Sequence, residues 1–181
     1  MNRTCILLAK GFEEIEALTV VDVLRRLDIE CIMCSIDSLE VTGAHRITIV
    51  ADRLMNEMNF KDYGAVILPG GMPGAANLKA DRRVISLIRE FDKAGKLIAA
   101  ICAAPIVLKE AGIIKGRTIT SFPGIREELK DSHYGEDSIV QDKNILTSRG
   151  PGTAFKFAFK IAENMLDINT VNQVKRSMMV E

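Results

Sequence analysis

Residues 96–105 read Lys-Leu-Ile-Ala-Ala-Ile-Cys-Ala-Ala-Pro. From Lys96 to Ile101 the run is short and apolar, the pattern of a buried strand. Pro105 then heads Ile106, Val107, Leu108 and Ala111, whose spacing is helical. Proline suits a first helical turn, because the amide it lacks would have no partner there. Cys102 is therefore expected on a sharp strand-to-helix turn, with the small side chains of Ala100, Ala103 and Ala104 leaving room around it. That is the backbone logic of a nucleophile elbow. Unpaired amides at a helix start also favour a thiolate over a thiol. Taken alone, Cys102 reads more simply as a small buried hydrophobe, and the rest of the chain must decide.

Working outward, the N-terminal side offers a strand at Thr4 to Ala9, a turn at Lys10-Gly11 and an amphipathic helix from Glu13 to Leu27. Glu13, Glu14 and Glu16 crowd the first turn of that helix, as its dipole favours. Further strands are expected at Glu30 to Ile36 and Ala65 to Leu68, the latter closed by Pro69-Gly70-Gly71. Between them Leu39 to Val50 reads as a small hairpin turning at Gly43. Helices are predicted over Pro73–Ala80 and Arg82–Ala94, and after the elbow helix come short strands at Arg117–Thr120, Ile139–Gln141 and Asn144–Thr147. A helix from Thr153 to about Leu166 follows Arg149-Gly150-Pro151-Gly152, and an exposed helix from Asn169 to Glu181 ends the chain. Apolar strands alternating with helices imply an α/β fold: a mostly parallel central sheet with helices on both faces. Sites in such folds lie beyond the carboxyl ends of the strands. Four of those ends look chemically furnished: Lys10 to Glu16, Pro69 to Gly74, Cys102-Ala103 and Ser148 to Gly152.

Length and composition narrow the classes. The 181 residues fit a single domain over 1–181, with 48% apolar and 27% charged residues. Lys plus Arg and Asp plus Glu both number 24, so no basic excess points to nucleic acid. No apolar run reaches the roughly 18 residues of a membrane span. The opening Met1-Asn2-Arg3-Thr4 and its short apolar strand do not resemble a signal peptide, so a cytoplasmic protein is expected. Cys31-Ile32-Met33-Cys34 has C-x-x-C spacing, but on a strand residues three apart face opposite sides. With only His45 and His133 in the chain, a zinc site has no ligand set. No metal and no cofactor are expected.

At the furnished edge, Gly70-Gly71 is first a turn. In the functional reading the amide of Gly71, with that of Ala103, forms an oxyanion hole beside the Cys102 sulfur. Glu16 is the carboxyl expected nearest the thiol. Two anions there would repel and raise both pKa values. A Glu16 that touches Cys102 is therefore expected to be partly protonated, to donate a hydrogen bond to sulfur, and to shuttle a proton near neutral pH.

Four segments carry a resemblance. Leu8-Ala9-Lys10-Gly11-Phe12-Glu13-Glu14-Ile15-Glu16, Leu68-Pro69-Gly70-Gly71, Ala99-Ala100-Ile101-Cys102-Ala103-Ala104-Pro105 and Leu146-Thr147-Ser148-Arg149-Gly150-Pro151-Gly152-Thr153 together resemble the DJ-1/ThiJ/PfpI family, in its order and intervals. The similarity is greatest to the DJ-1 and bacterial ThiJ-like branch. It implies a flavodoxin-like three-layer sandwich, commonly a homodimer, with Cys102 the easily oxidised nucleophile, Glu16 its carboxylic partner, and Gly71 and Ala103 the oxyanion amides. Two departures stand out. Phe122 occupies a position where some relatives carry a histidine, and Ala103 stands where the protease-like branch has one. Without a Cys-His pair, peptide hydrolysis lacks the base and acid it needs. His45 and His133 are expected to be solvated loop residues rather than members of the site.

The expected function is a cofactor-free glyoxalase or deglycase. Cys102 adds to an α-oxoaldehyde such as methylglyoxal, or to its adduct on a glycated protein, and Glu16 moves a proton between the two carbons. The alternative is an oxidative-stress sensor or redox-regulated chaperone acting through oxidation of Cys102. The expected partner is a second copy of the chain, met through the first helix and the Val41 to Val50 excursion.

Overall fold

The computed structural model describes residues 3–180. Its strands are β1 (Arg3–Leu8), β2 (Glu30–Ser35), β3 (Glu40–Thr42), β4 (Thr48–Val50), β5 (Arg53–Leu54), β6 (Ala65–Leu68), β7 (Leu97–Ile101), β8 (Thr118–Ile119), β9 (His133–Tyr134), β10 (Ile139–Asp142) and β11 (Ile145–Ser148). The α-helices are α1 (Glu14–Arg26), α2 (Gly74–Ala80), α3 (Arg82–Lys93), α4 (Pro105–Ala111), α5 (Ala154–Glu163) and α6 (Ile168–Ser177). Seven strands form the main sheet in the order β10-β11-β7-β6-β1-β2-β5. All neighbours run parallel except β10 and β11, which pair antiparallel across the turn at Lys143.

Strand periodicity divides the core into two layers. Cys5, Leu7, Val66, Leu68, Ile98 and Ala100 face one way and pack with α2, α3 and α4. Ile6, Leu8, Ile67, Ala99 and Ile101 face the other way and pack with α1, α5 and Val171 of α6. Each central strand is buried on both sides, which is why its sequence is nearly unbroken in apolar character. The expected α/β sandwich is therefore present. Cys31 and Cys34 belong to opposite layers and all four cysteines are free, so the C-x-x-C spacing marks a strand.

Differences from the sequence reading are local. Glu13 caps α1 instead of opening it, its carboxylate accepting from Ile15 N at 2.8 Å. The final helix is not fully exposed, because Val171 inserts into the core; Glu181, where it was expected to end, lies outside the described residues. The pairs β3–β4 and β8–β9 form two small separate sheets. The hairpin at Gly43 matches expectation, whereas β9 and a 3-10 stretch over Pro123–Leu129 had no strong pattern to announce them. No helix among the described residues is long and apolar enough to cross a membrane.

Candidate active site

β1, β6, β7 and β11 all point their carboxyl ends toward one edge of the sheet, because they run parallel. Cys102 follows β7 directly, with φ of +62°. A non-glycine residue seldom adopts that left-handed region, and doing so costs on the order of 1–3 kcal/mol unless the surroundings fix it. Here they do. Cys102 N donates to Ser148 O at 3.0 Å, its carbonyl accepts from Phe122 N at 2.9 Å, and Ala104 N closes the turn on Ile101 O at 3.0 Å. The turn holds the sulfur half-buried at the sheet edge.

Glu16, on the first turn of α1, is fully buried in the same place. Its Oε2 accepts from Gly70 N at 2.7 Å, and its carboxyl meets the Cys102 thiol. Oε1 is buried without a well-aligned partner. The amides of Gly71 and Ala103 are directed at the Cys102 sulfur. Gly71 has φ of +85°, and a Cβ there would run into the backbone of Glu13 and Gly11. Only glycine fits that contact. Cys102, Glu16, Gly71 and Ala103, the four positions expected from sequence, thus converge. The Gly70 amide is a further part that the sequence did not single out.

Burial, the largest influence, pushes the Glu16 carboxyl up to about 7, with the charge of Glu13 adding to it and the bonds from Gly70 and Cys102 opposing. Burial likewise pushes the Cys102 thiol up to about 12, reinforced by the charge of Glu16 and the hydrogen bond to it; Gly71 and Ala103 pull the other way. Both pKa values are raised, as expected for a Glu16 that touches Cys102, and burial outweighs the preference of a helix start for a thiolate. Beside a carboxylate, and out of water, sulfur keeps its proton. The two groups titrate together. A proton on Glu16 removes its charge and its acceptor, leaving burial to hold the thiol up against the two amides that favour the sulfur anion. The arrangement can keep one proton between a carboxyl and a thiol and move it to a molecule bound beside them.

The histidines lie elsewhere. His45 sits on the β3–β4 turn, where its Nδ1 meets Glu14 Oε2 at 2.8 Å and its amide donates to Glu14 Oε1 at 2.7 Å. Glu14 itself, expected only as a first-turn acid favoured by the helix dipole, is buried. Glu13, Glu14 and His45 are the one gathering of potential metal-ligating atoms among the described residues, and it contains no cysteine. His133 is exposed on β9. A surface depression of about 700 Å³ between α2, α3 and α4 is lined by Lys79, Arg82 and Arg89 and does not include Cys102.

A model of the DJ-1/PfpI family matches residues 2–164. The chain belongs to the DJ-1/PfpI family. Protein dj-1beta of Drosophila melanogaster is 36% identical over 97% of this chain and 95% of its own length. The crystal structure of Drosophila melanogaster DJ-1beta superposes with a TM-score of 0.96 at 35% identity, covering 99% of this chain and 98% of that one. A third relative, the Caenorhabditis elegans protein named glutathione-independent glyoxalase DJR-1.2, is 34% identical over 84% of this chain and 82% of its own length. Within the DJ-1/PfpI family, then, this chain carries Phe122 and Ala103 beside its elbow cysteine.

Proposed function

We propose that this protein is a glutathione-independent glyoxalase that uses Cys102 and Glu16 and no cofactor. The observation that carries the reading is the buried Glu16 carboxyl, with a pKa near 7, set against the elbow thiol. The proposed sequence begins when Glu16 accepts the thiol proton and sulfur adds to the aldehyde carbon of an α-oxoaldehyde. The alkoxide formed takes that proton back from Glu16, giving a hemithioacetal, with the Gly71 and Ala103 amides stabilising the developing oxyanion. Glu16 as carboxylate then removes the proton from that carbon and returns it to the neighbouring one, turning hemithioacetal into 2-hydroxyacyl thioester. Water releases the hydroxy acid and regenerates the thiol. Methylglyoxal plus water becomes lactate, with no external oxidant or reductant. The same steps on a hemithioacetal or aminol already formed on a protein amount to deglycation. The name of the Caenorhabditis elegans relative agrees with this class of chemistry.

The test is lactate formation from methylglyoxal without glutathione. Cys102→Ser is expected to give none, and Glu16→Gln to fall about 10²–10⁴-fold, the usual range for a positioned acid-base group. In the wild type, kcat/KM should rise with pH through about 7 as the carboxyl–thiol pair loses its first proton. Turnover persisting in Cys102→Ser would overturn the mechanism. Absent turnover in fully reduced protein, together with stable addition of two oxygens at Cys102 by peroxide, would favour the redox-sensor reading instead.

We further propose that the working unit is a homodimer. Ile15 and Leu18 of α1 and Ile47 and Val50 around β4 are exposed apolar side chains, and the Glu14 bonds to the His45 and Ile47 amides join the two elements into one surface.

A further inference from the structure

Phe122 is half-exposed at 50%, large, and placed at the elbow. Its amide holds the Cys102 carbonyl at 2.9 Å, and its ring lies 3.9 Å from where a side chain on Gly150 would begin. Gly150 is two residues beyond Ser148, the residue whose carbonyl receives the Cys102 amide. The ring therefore borders the segment that follows Ser148, near the turn that begins at Pro151, and its other edge lies 3.1 Å from where a side chain on Gly124 would begin. Among the described residues it stacks on no other aromatic ring. A lone exposed phenylalanine is ordinary on a protein surface. One fixed by its own backbone to the reactive residue is a wall of that residue's site.

We propose that Phe122 selects the substituent on the carbonyl substrate, its ring forming an apolar wall at the Cys102 elbow that favours α-oxoaldehydes carrying an aryl group over methylglyoxal. The inference rests on the reading of Cys102 as the group that adds to the carbonyl. Aryl groups gain from offset or edge-on contact with such a ring beyond their area alone.

Two measurements separate the wall from the reaction. In the first, kcat/KM is compared for phenylglyoxal and methylglyoxal in wild type, Phe122→Ala and Phe122→Leu. The selectivity ratio should fall about tenfold in Phe122→Ala, mainly through KM for phenylglyoxal, and recover partly in Phe122→Leu. Because the ratio is compared between proteins, the intrinsic reactivities of the two aldehydes cancel. In the second, labelling of Cys102 by N-phenylmaleimide and N-ethylmaleimide is followed by intact mass, with Cys102→Ser as the blank. The phenyl preference of wild type should fall by a similar factor in Phe122→Ala. Ratios within twofold of wild type in both measurements would overturn the wall. A labelling preference lost in Phe122→Ala, in a wild type that turns over neither aldehyde, would retain the wall and overturn the proposed reaction.

Discussion

At Gly70 three parts of the site come within contact of one backbone position. A side chain there would begin 2.6 Å from Cys102 Cβ, 2.8 Å from Glu16 Oε2 and 2.9 Å from Ala103 N. No L-residue fits without moving the thiol, the carboxyl or the oxyanion amide, since real Cβ contacts are never that close. Gly70→Ala should therefore remove activity and lower the unfolding midpoint; a Gly70→Ala enzyme with wild-type turnover would contradict the geometry. Glu16 makes a second prediction at this scale. A carboxyl whose folded pKa is raised from 4.5 to about 7 binds its proton more tightly folded than unfolded. Its contribution to stability is therefore fully present below pH 4.5 and is lost as pH rises through about 7. At about 1.4 kcal/mol for each pH unit between the two values, the loss is about 3 kcal/mol. Denaturant unfolding of wild type and Glu16→Gln across pH 4 to 8 should show a steeper decline in wild type than in the variant, the difference being the Glu16 contribution. Parallel curves would mean that Glu16 does not carry the proton. The residue scale is also where sequence reading fell short. Cys102 was legible from its turn and Glu16 as its neighbour, but the burial that dominates both raised pKa values depends on packing between residues far apart in the chain.

Glu14 shows the same limit at the level of elements. Its place on α1 was clear from spacing, yet nothing in the helix indicated that the β3–β4 hairpin would close over it. The hairpin is fastened to the helix start by backbone bonds, Gly11 N to Thr42 O and Ala44 N to Phe12 O at 2.8 Å each, and by three bonds to the Glu14 carboxylate. Burial works against the ionised Glu14, but the bonds from His45 and the backbone outweigh it and lower its pKa; the bond to Glu14 in turn raises that of His45. The depressed acid gives stability that is fully present above pH 4.5 and lost on acidification. The raised base gives stability that is fully present below pH 6.5 and lost as pH rises. The clasp is tightest between those values. Hydrogen exchange at the His45 and Ile47 amides, corrected for intrinsic rates, should be slowest in that window and about tenfold faster in Glu14→Ala. Protection that is flat with pH, and equal in the variant, would show that the backbone bonds alone hold the hairpin. By contrast the long elements were legible almost throughout. Burial of β1, β6 and β7 on both faces writes itself as apolar runs, and α3 begins where Asp81 caps it, accepting from Arg83 N at 2.8 Å. β8 falls within the strand expected at Arg117–Thr120, whereas the two-residue β9 has no periodicity to read, because its pairing is decided by the loops that bring it to β8.

Across the whole molecule, the sheet places chemistry at one edge and leaves an apolar surface next to it. Ile15 is 57% exposed and Val50 64%, on elements whose shared anchor is Glu14, two residues from Glu16. Phe155 at the start of α5, which packs beside α1, extends that surface. Stable dimers bury about 800 Å² on each partner, and a face built from two neighbouring helices and a hairpin can supply an area of that order. A second copy seated there would lie against the helix that carries the carboxyl, so assembly and catalysis would share α1. Leu18→Arg tests this at small cost to the single chain, because exposed positions away from caps and cores usually change stability by about 0.5 kcal/mol or less. Sedimentation velocity should give a dimer for wild type and a monomer for Leu18→Arg, the latter with near wild-type circular dichroism. Turnover in the monomer should fall, because α1 loses the contact that fixes its exposed side. A wild type that sediments as a monomer, or a Leu18→Arg protein that remains dimeric, would put the interface elsewhere. A monomeric variant that turns over at the wild-type rate would show instead that one chain positions Glu16 by itself, through Gly70 and Cys102 alone.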